Sequence, residues 1–217
     1  MKPIIVVNFK AYKTAMGENA VKLARVCGEV ARKTKAKIMV AVQAADVYMV
    51  SKNVRIDVLG QHVDYAYPGA FTGSVLPESL KENNAAGSLL NHAEHRIEML
   101  AIENAVYRCK KLGLYNVVCT PKIHQAKKIA RLRPRYIAYE VPELIGTGKA
   151  ISKMQPGSVA AFAKAMKKRD IIPLCGAGIS NGEDVRIAMQ LGCKGVLVAS
   201  AVTNANKPRE VLLDLVG

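Results

Sequence analysis

Eight short apolar runs recur along the chain, and this repetition constrains the fold more than any other feature. The runs span residues 4–7, 37–42, 56–60, 88–90, 116–119, 136–139, 171–175 and 195–199. Between them lie amphipathic stretches with a period of about 3.6 residues. These stretches predict helices at 19–32, 97–112, 123–132, 158–168, 183–191 and 208–215. Shorter helices are predicted after the second and third runs, at 45–52 and 77–83.

The alternation of strands and helices is typical of a parallel sheet, because each helix returns the chain to the same edge. Eight such units predict the α/β class and a closed (β/α)8 barrel, with residues 1–217 forming a single domain. Barrels of this kind usually have about 250 residues, so we expect a shortened helical layer. A doubly wound open sheet is the alternative, although it would usually stop at about five or six strands.

Composition narrows the environment of the protein. Half of the residues are hydrophobic, which excludes a disordered chain. No apolar run is long enough to span a bilayer, and the first residues enter a strand without the layout of a signal peptide. The five cysteines include no C-x-x-C pair and fit free thiols in a reducing compartment. We therefore expect a cytoplasmic protein.

The chain is strongly basic, with 32 Lys and Arg residues against 17 Asp and Glu residues and a net charge of +15. Such an excess suits nucleic acid, acidic membranes or anionic substrates. The basic residues are spaced as on helices, for example at 110–111, 127–131 and 164–168, with no aromatic residues between them. We interpret them as a solvated helix surface, and a basic nucleic-acid-binding scaffold remains the alternative.

Polar and small residues follow the apolar runs, at the strand ends where barrels of this type carry their chemistry. These positions are Asn8, Lys10, His92, Cys119, Glu140, 176–180 and 199–201. Small residues before a helix allow backbone N–H groups to reach a phosphate, whose charge the helix dipole favours. The set therefore predicts a site for a small phosphorylated substrate.

The stretch 136–149 combines a buried strand, a carboxylate and a glycine-containing loop. Glu140 ends the strand, and Pro142 prevents a helix from starting at Val141. An apolar tip and two glycines follow at 144–148, as in a loop that closes over a small ligand. A carboxylate at the mouth of such a lid suits a proton-transfer base, whereas a charged strand end beside an ordinary loop is the alternative.

Two other kinds of site are not favoured by the sequence. Cys119 has no evident basic partner, so we interpret it as a buried packing thiol beside the strand of Glu140. His92 and His95 are spaced like metal ligands, but no set of carboxylates completes them. We therefore expect neither a metal nor a cofactor.

Several of these motifs, taken together and in order, resemble the triosephosphate isomerase family over nearly the whole chain. They are Asn8-Phe9-Lys10, Ala70-Phe71-Thr72-Gly73, Asn91-His92-Ala93-Glu94, Tyr139-Glu140, Ile145-Gly146-Thr147-Gly148-Lys149 and Gly176-Ala177-Gly178. The short helices, Asn91 before the histidine and Ala199-Ser200 at the eighth strand resemble the compact archaeal branch. The resemblance implies a TIM barrel that interconverts dihydroxyacetone phosphate and glyceraldehyde 3-phosphate, in glycolysis and gluconeogenesis.

The resemblance also implies a role for each catalytic residue. Glu140 would move protons between two substrate carbons, and a neutral His92 would polarise the carbonyl. Lys10 would supply positive charge, Asn8 would position it, and Glu94 would brace the site from behind.

Substrate binding is implied for a second, overlapping set of residues. Its members are Asn8, Phe9, Lys10, Ile145, Gly146, Gly178, Ala199 and Ser200. The last five would hold the phosphate through backbone groups. The loop 69–73 resembles one that enters a neighbouring subunit, so a homo-oligomer, dimer or tetramer, is implied, with neither nucleic acid nor membrane as a partner.

The chain departs from the family pattern at three positions beside the site. Ala93 replaces a usual serine, Val141 replaces a usual proline, and Ala201 replaces a glycine usual in the compact branch. None of these changes removes a catalytic group, so they bear on rate and not on the reaction. Another phosphate-binding barrel isomerase, of sugar-phosphate or amino-acid biosynthesis, is the alternative enzyme, although it would not need Asn-x-Lys or the Ile-Gly-Thr-Gly lid.

Overall fold

The computed structural model describes residues 2–144 and 146–217. Its centre is a closed barrel of eight parallel strands in sequence order, in which β1 pairs with both β2 and β8. The strands are β1 (Ile4–Asn8), β2 (Lys37–Val42), β3 (Asp57–Gly60), β4 (Gly87–Leu90), β5 (Tyr115–Thr120), β6 (Tyr136–Tyr139), β7 (Ile172–Cys175) and β8 (Gly195–Val198). The predicted (β/α)8 barrel is confirmed, and the open sheet is excluded.

Helices surround the barrel and return the chain from each strand to the next. They are α1 (Glu18–Thr34), α2 (Val47–Asn53), α3 (Pro77–Glu82), α4 (Met99–Lys111), α5 (Ile123–Ile129), α6 (Ile151–Met154), α7 (Pro156–Lys167), α8 (Gly182–Gln190), α9 (Ser200–Thr203) and α10 (Pro208–Val216). With α2, α3 and α5 only 6 or 7 residues long, the helical layer is short, as expected for 217 residues.

Two of these helices, α6 and α9, are single turns that the sequence periodicity did not predict. The predicted start of α4 at residue 97 was also wrong, since the helix begins at Met99. The cause is local: the backbone N–H of Ile97 donates to Oδ1 of Asn91 at 3.1 Å. A side chain from the preceding strand end therefore satisfies a donor that would otherwise belong to the first helical turn.

The core has two layers, as a barrel wrapped in helices requires. Inside the barrel, side chains from alternate strand positions pack together, including Val6, Met39, Leu89 and Leu197. Outside it, the other faces of the strands pack against the apolar faces of the helices. Each strand is therefore buried on both sides, which is why the strands appear in the sequence as continuous apolar runs.

Two glycines allow neighbouring strands to approach closely. A Cβ atom at Gly87 would lie 1.9 Å from the carbonyl oxygen of Tyr115, and one at Gly195 would lie 2.0 Å from that of Ile4. Gly87 lies where β4 pairs with β5, and Gly195 lies where β8 pairs with β1.

Across the described residues, no helix is both long and apolar enough to cross a membrane.

Candidate active site

The carboxyl ends of the strands enclose a cavity of about 240 Å³. Its walls include side chains after β1, β4 and β6 and small-residue turns after β7 and β8. The residues predicted for the site that line it are Asn8, Lys10, His92, Glu140, Gly146, Gly178, Ala199 and Ser200. Positions scattered between residues 8 and 200 thus meet in one place, because all eight strands point the same way.

Glu140 is almost wholly buried, with 3 % of its surface exposed. Its Oε1 lies 3.8 Å from Nε2 of His92, and its Oε2 has no hydrogen-bond partner among the described residues. A Cβ atom at Gly176 would lie 2.5 Å from Cγ of Glu140, so the side chain occupies the space that glycine leaves. One free carboxylate oxygen in a buried site is the arrangement expected of a group that accepts a proton.

His92 has its two ring nitrogens in different surroundings. The backbone N–H of Glu94 donates to Nδ1 at 3.2 Å, so this nitrogen accepts a hydrogen bond and carries no proton. The proton of a neutral imidazole then lies on Nε2, on the side facing Glu140. The ring is therefore oriented to donate a hydrogen bond from Nε2 into the cavity.

Lys10 is held in a left-handed backbone conformation, with φ of 50°. Two side chains maintain it: Oδ1 of Asn8 accepts from the N–H of Lys10 at 3.0 Å, and Nε2 of Gln61 donates to its carbonyl at 2.9 Å. Its ammonium lies 2.6 Å from Oε1 of Glu94. Because Glu94 also contacts His92 through its backbone, it links the cation to the imidazole.

The turn after β7 has a conformation that exposes backbone N–H groups. Ala177 and Gly178 both have positive φ, of 68° and 69°. A Cβ atom at Gly178 would lie 2.0 Å from the carbonyl oxygen of Lys149, so only glycine allows the lid segment to pack there. Ala199 and Ser200 lie on the other wall, where α9 begins.

Gly146 and Gly148 reach the cavity from the lid, with φ of 75° and 71°. Ile145, which was also predicted to bind the substrate, lies outside the described residues.

Phe9 is not brought to the cavity wall. It is wholly buried in the layer between strands and helices. Its location is that of a packing residue, and the prediction that it contacts substrate has no support from this geometry.

Cys119 lies beside Glu140 and is completely buried. Burial first, and then the neighbouring charge of Glu140, raise the pKa of this thiol well above its ordinary value. A thiol held protonated in this way is not a nucleophile, in agreement with the packing role predicted for it.

Two positioning residues, Gln61 and Asn91, were given no role by the sequence, although Asn91 belongs to a motif that carries the family resemblance. Gln61 follows β3 and hydrogen-bonds to the carbonyls of both Lys10 and Ala41. Asn91 has φ of 57°, and its Nδ2 donates to the carbonyl of Cys119 at 2.8 Å. A signal existed for both, since each is an amide side chain directly after a predicted strand, and asparagine tolerates positive φ.

Among residues 2–144 and 146–217, no group of three or more His, Cys, Asp or Glu side chains is arranged to hold a metal ion.

Residues 3–216 match the family model for triosephosphate isomerase. The chain belongs to the triosephosphate isomerase family. The triosephosphate isomerase of Methanobacterium bryantii is 44% identical over 216 residues, which cover 99% of this chain and 96% of that protein. The triosephosphate isomerases of Methanocaldococcus jannaschii and Metallosphaera sedula are 42% and 43% identical, over 98% and 99% of this chain and 98% and 94% of those proteins. Membership of this isomerase family favours an enzyme over the nucleic-acid-binding scaffold.

Proposed function

We propose that the protein interconverts dihydroxyacetone phosphate and D-glyceraldehyde 3-phosphate, a step of glycolysis and gluconeogenesis. The observation that carries the proposal is the pairing of Glu140 with His92. A buried carboxylate with one unpartnered oxygen faces Nε2 of a histidine at 3.8 Å, across a cavity sized for a small substrate. A proton-accepting and a hydrogen-donating group beside each other suit isomerisation of an α-hydroxy carbonyl compound.

In this mechanism Glu140 removes a proton from the carbon next to the substrate carbonyl. The electron pair of that C–H bond forms the carbon–carbon double bond of an enediolate, and negative charge develops on the carbonyl oxygen. The hydrogen bond from Nε2 of His92 stabilises this oxygen. Glu140 then returns the proton to the neighbouring carbon. The hydroxyl proton passes to the former carbonyl oxygen by way of Nε2 of His92, and the carbonyl double bond re-forms at the carbon that was first deprotonated. This family is the standard example of a neutral imidazole acting as the electrophile.

Lys10 places the nearest positive charge at the site. Its ammonium would stabilise both the developing oxyanion and the substrate phosphate. Asn8 fixes the backbone of Lys10, and Glu94 fixes its ammonium, so the charge is positioned before substrate arrives. Preorganised charge of this kind lowers the barrier without costing reorganisation during the reaction.

The phosphate would lie between the turns after β7 and β8. Backbone N–H groups of Gly178, Ala199 and Ser200 would bind its oxygens, with Gly146 contributing from the lid. Closure of the lid over the phosphate would exclude water and protect the enediolate from losing phosphate. The lid of this family is a standard example of such gating.

The enzyme is proposed to act as a homo-oligomer, dimer or tetramer. The loop 61–76 presents three exposed aromatic side chains, Tyr65, Tyr67 and Phe71, whose exposed fractions are 48%, 63% and 53%. Aromatic side chains grouped in this way are typical of an interface between proteins. The cytoplasm is the proposed compartment, because all five cysteines are buried free thiols.

The test is the variant Glu140→Gln, with Glu143→Gln as the matched control. Both remove one carboxylate from the lid region, but Glu143 is exposed and has no proposed catalytic role. In a coupled assay with glyceraldehyde 3-phosphate, Glu140→Gln should lower kcat by several orders of magnitude, because the amide cannot accept the substrate proton. A phosphorylated transition-state mimic should still bind. Near-normal turnover of Glu140→Gln would mean that the base is elsewhere.

A further inference from the structure

The positive charge of the chain is collected on the face of the barrel opposite the active site. Helices run antiparallel to the strands, so the last turn of each helix and the segment entering the next strand lie at the amino ends of the strands. More than half of the 32 Lys and Arg residues lie in these segments. We call this surface the basic face; it comprises Lys2, Arg32, Lys33, Lys35, Lys37, Lys52, Arg55, Lys81, Lys110, Lys111, Lys127, Lys128, Arg131, Arg133, Arg135, Lys164, Lys167, Lys168, Arg169 and Lys194.

Acidic residues do not balance these charges. The corresponding helix ends and strand-entering segments contain Asp57, Glu82, Asp170 and Asp214. Among the solvent-accessible cations of the basic face that the structure describes, Lys37 is the one that forms an ion pair with a carboxylate side chain, at 3.0 Å from Asp57. Arg108, also in the last turn of α4, is buried and paired with Glu78, and is not counted in the face. Cations near helix ends complement the helix dipole. The helix dipole accounts for one or two cations per helix. It does not account for the further cations that precede strands β2, β3, β6, β7 and β8.

Cations from distant parts of the chain lie close together in the folded protein. Lys37 and Arg135 enter from opposite sides of the barrel, yet both lie over the ring of Tyr115, at 5.9 Å and 5.2 Å from its centroid. The pKa of the neighbouring Asp57 would be raised by burial, but hydrogen bonds from Lys37 and Tyr115 outweigh this and lower it. The acid at the centre of the face is therefore ionised and already paired.

A groove of about 970 Å³ runs along this face between α1 and α2. Its walls carry five cations and two acids: Arg25, Arg32, Lys37, Lys52, Arg55, Glu29 and Asp57. A second groove, of about 420 Å³, lies beside Lys164, Lys167 and Lys194. The face is thus a set of shallow basic channels and not a closed pocket.

We propose that the basic face binds the phosphate backbone of double-helical nucleic acid, as a second activity independent of the isomerase site. Unpaired cations spread over one face are the electrostatic footprint of such binding, which is driven by release of counterions. In the described residues, two exposed large hydrophobic side chains, Tyr48 and Tyr107, border this face. Each ring is covered by an ammonium group of the face, that of Lys52 at 5.5 Å and that of Lys111 at 4.6 Å. Because lysines already cover those two rings, the face offers no run of free aromatic rings for single-stranded bases and no apolar patch to anchor it in a lipid surface.

Binding would carry no sequence preference, because contacts to phosphates position a protein without reading bases. The site of isomerisation stays open in such a complex, since it lies at the other end of the barrel. The same separation makes the two activities distinguishable by experiment.

The experiment measures fluorescence anisotropy of a labelled mixed-sequence DNA or RNA duplex of about 20 base pairs, titrated with the full chain between 50 and 200 mM salt. The logarithm of Kd should rise linearly with the logarithm of salt, by about 0.9 per phosphate contact. An excess of phosphorylated active-site inhibitor should not displace the duplex, and the duplex should not change kcat. Displacement by that inhibitor would overturn the proposal.

The matched variants remove equal charge from the two ends of the barrel. Arg32→Gln, Lys52→Gln and Arg55→Gln together should weaken duplex binding roughly tenfold or more and reduce the salt slope by about 1 to 3. Lys13→Gln, Lys22→Gln and Lys122→Gln together should leave it within about twofold. Lys13 and Lys122 follow strands β1 and β5, and Lys22 lies near the start of α1, so all three are nearer the active-site end. Equal weakening by the two triple variants would contradict a specific face.

Two competing ligands test whether the basic face prefers a nucleic-acid duplex to a free polyphosphate or to an anionic membrane. Inorganic tripolyphosphate should displace the duplex only at concentrations far above the duplex Kd, because it spans few of the cations. Vesicles containing anionic lipid should bind more weakly than the duplex. Tighter binding of either probe, or no duplex binding at 50 mM salt, would overturn the proposal.

Discussion

At the scale of single residues, Glu140 has room for its side chain because position 176 has no Cβ atom. That atom would lie 2.5 Å from Cγ and 2.8 Å from Oε1 of Glu140. The glycine is therefore required by the position of the carboxylate, whereas its neighbours Ala177 and Gly178 differ from it in having positive φ.

The variant Gly176→Ala should displace Glu140 from its position opposite His92. We expect kcat to fall by at least about tenfold, since small misplacements of a catalytic group are costly. The fold should persist, which circular dichroism would verify. Unchanged kcat would show that Glu140 works from a different position.

The residues that perform the chemistry could be predicted because each is a distinctive side chain at a strand end. The residues that position those catalytic side chains could not be predicted in this way. Gln61 acts on Lys10 from 51 positions away, and nothing in local periodicity links the two. The substrate contact predicted for Phe9 has no support here, since this side chain, just after β1, is wholly buried in the layer between strands and helices.

At the scale of elements, the hinge of the lid places Val141 directly before Pro142. The side chain packs against the outer core, and its carbonyl accepts from the N–H of Leu144 at 3.0 Å, in a single turn of 3-10 helix. Among the described contacts, the N–H of Val141 donates no hydrogen bond. Proline at this position would therefore remove no bond that the hinge uses.

We expect Val141→Pro to be tolerated. It should favour closure by about 0.5–1 kcal/mol, by reducing the conformations of the open hinge. Steady-state kinetics should show kcat unchanged or slightly higher, and an inhibitor that needs the closed lid should bind a few-fold tighter. If kcat collapses while circular dichroism is normal, the hinge requires a φ that proline cannot adopt.

A second element-scale feature ties α6 to α8 through Asp184. This carboxylate is buried, lies 2.9 Å from the ammonium of Lys153, and accepts from the N–H and hydroxyl of Ser180. Burial alone would raise the pKa of Asp184, but the hydrogen bonds from Lys153 and Ser180 outweigh it and hold that pKa below its ordinary 3.8.

A lowered pKa in the folded state means that Asp184 stabilises the protein above pH 3.8, and that this stabilisation is lost as pH falls through the lowered value. The variant Asp184→Asn should therefore lose about 1 kcal/mol at pH 6. The difference from the wild type should shrink toward pH 3. Urea unfolding at the two pH values measures this, and a difference that does not depend on pH would exclude the ion pair as the cause.

The strands were predictable because continuous apolar runs marked them, whereas the short helices and some helix starts were not. The eight strands were predicted to within one residue at each end. The start of α4 and the short helices α6 and α9 depended instead on single hydrogen bonds or on the path of a loop.

At the scale of the whole molecule, three of the exposed aromatic side chains lie in the loop 61–76, and one of them contacts a cation at the base of that loop. Tyr67 stacks on the guanidinium of Arg108 at 4.1 Å, and that buried arginine also binds Glu78 and the carbonyl of Ala66. The loop that carries Phe71 is thus anchored at its base while its tip projects.

The variant Phe71→Asp should convert the proposed oligomer to monomers. A charge at a desolvated interface position is costly, whereas the same change at Tyr48, which is 54% exposed on α2, should have no effect. Light scattering at micromolar concentration gives the mass of each variant. A wild type that is monomeric and fully active would contradict the interface.

The sequence identifies every charged residue, but it does not show how those residues are arranged on the surface of the folded protein. Basic residues at helical spacing predicted a solvated surface, and each of them is solvated. That they share one face follows only from the closed parallel barrel, which places every helix end beside the next strand start.

Gly87 and Gly195, the two glycines at which neighbouring strands approach closely, leave no room for a larger residue. Replacing Gly87 or Gly195 with even alanine would require a separation of 1.9 or 2.0 Å to grow to the 3.4 Å of an ordinary contact, against the backbone of a paired strand. Neither clash involves a flexible side chain that could turn aside. Every amino-acid replacement at these two positions would therefore have to displace a paired strand, so we expect both positions to admit glycine alone.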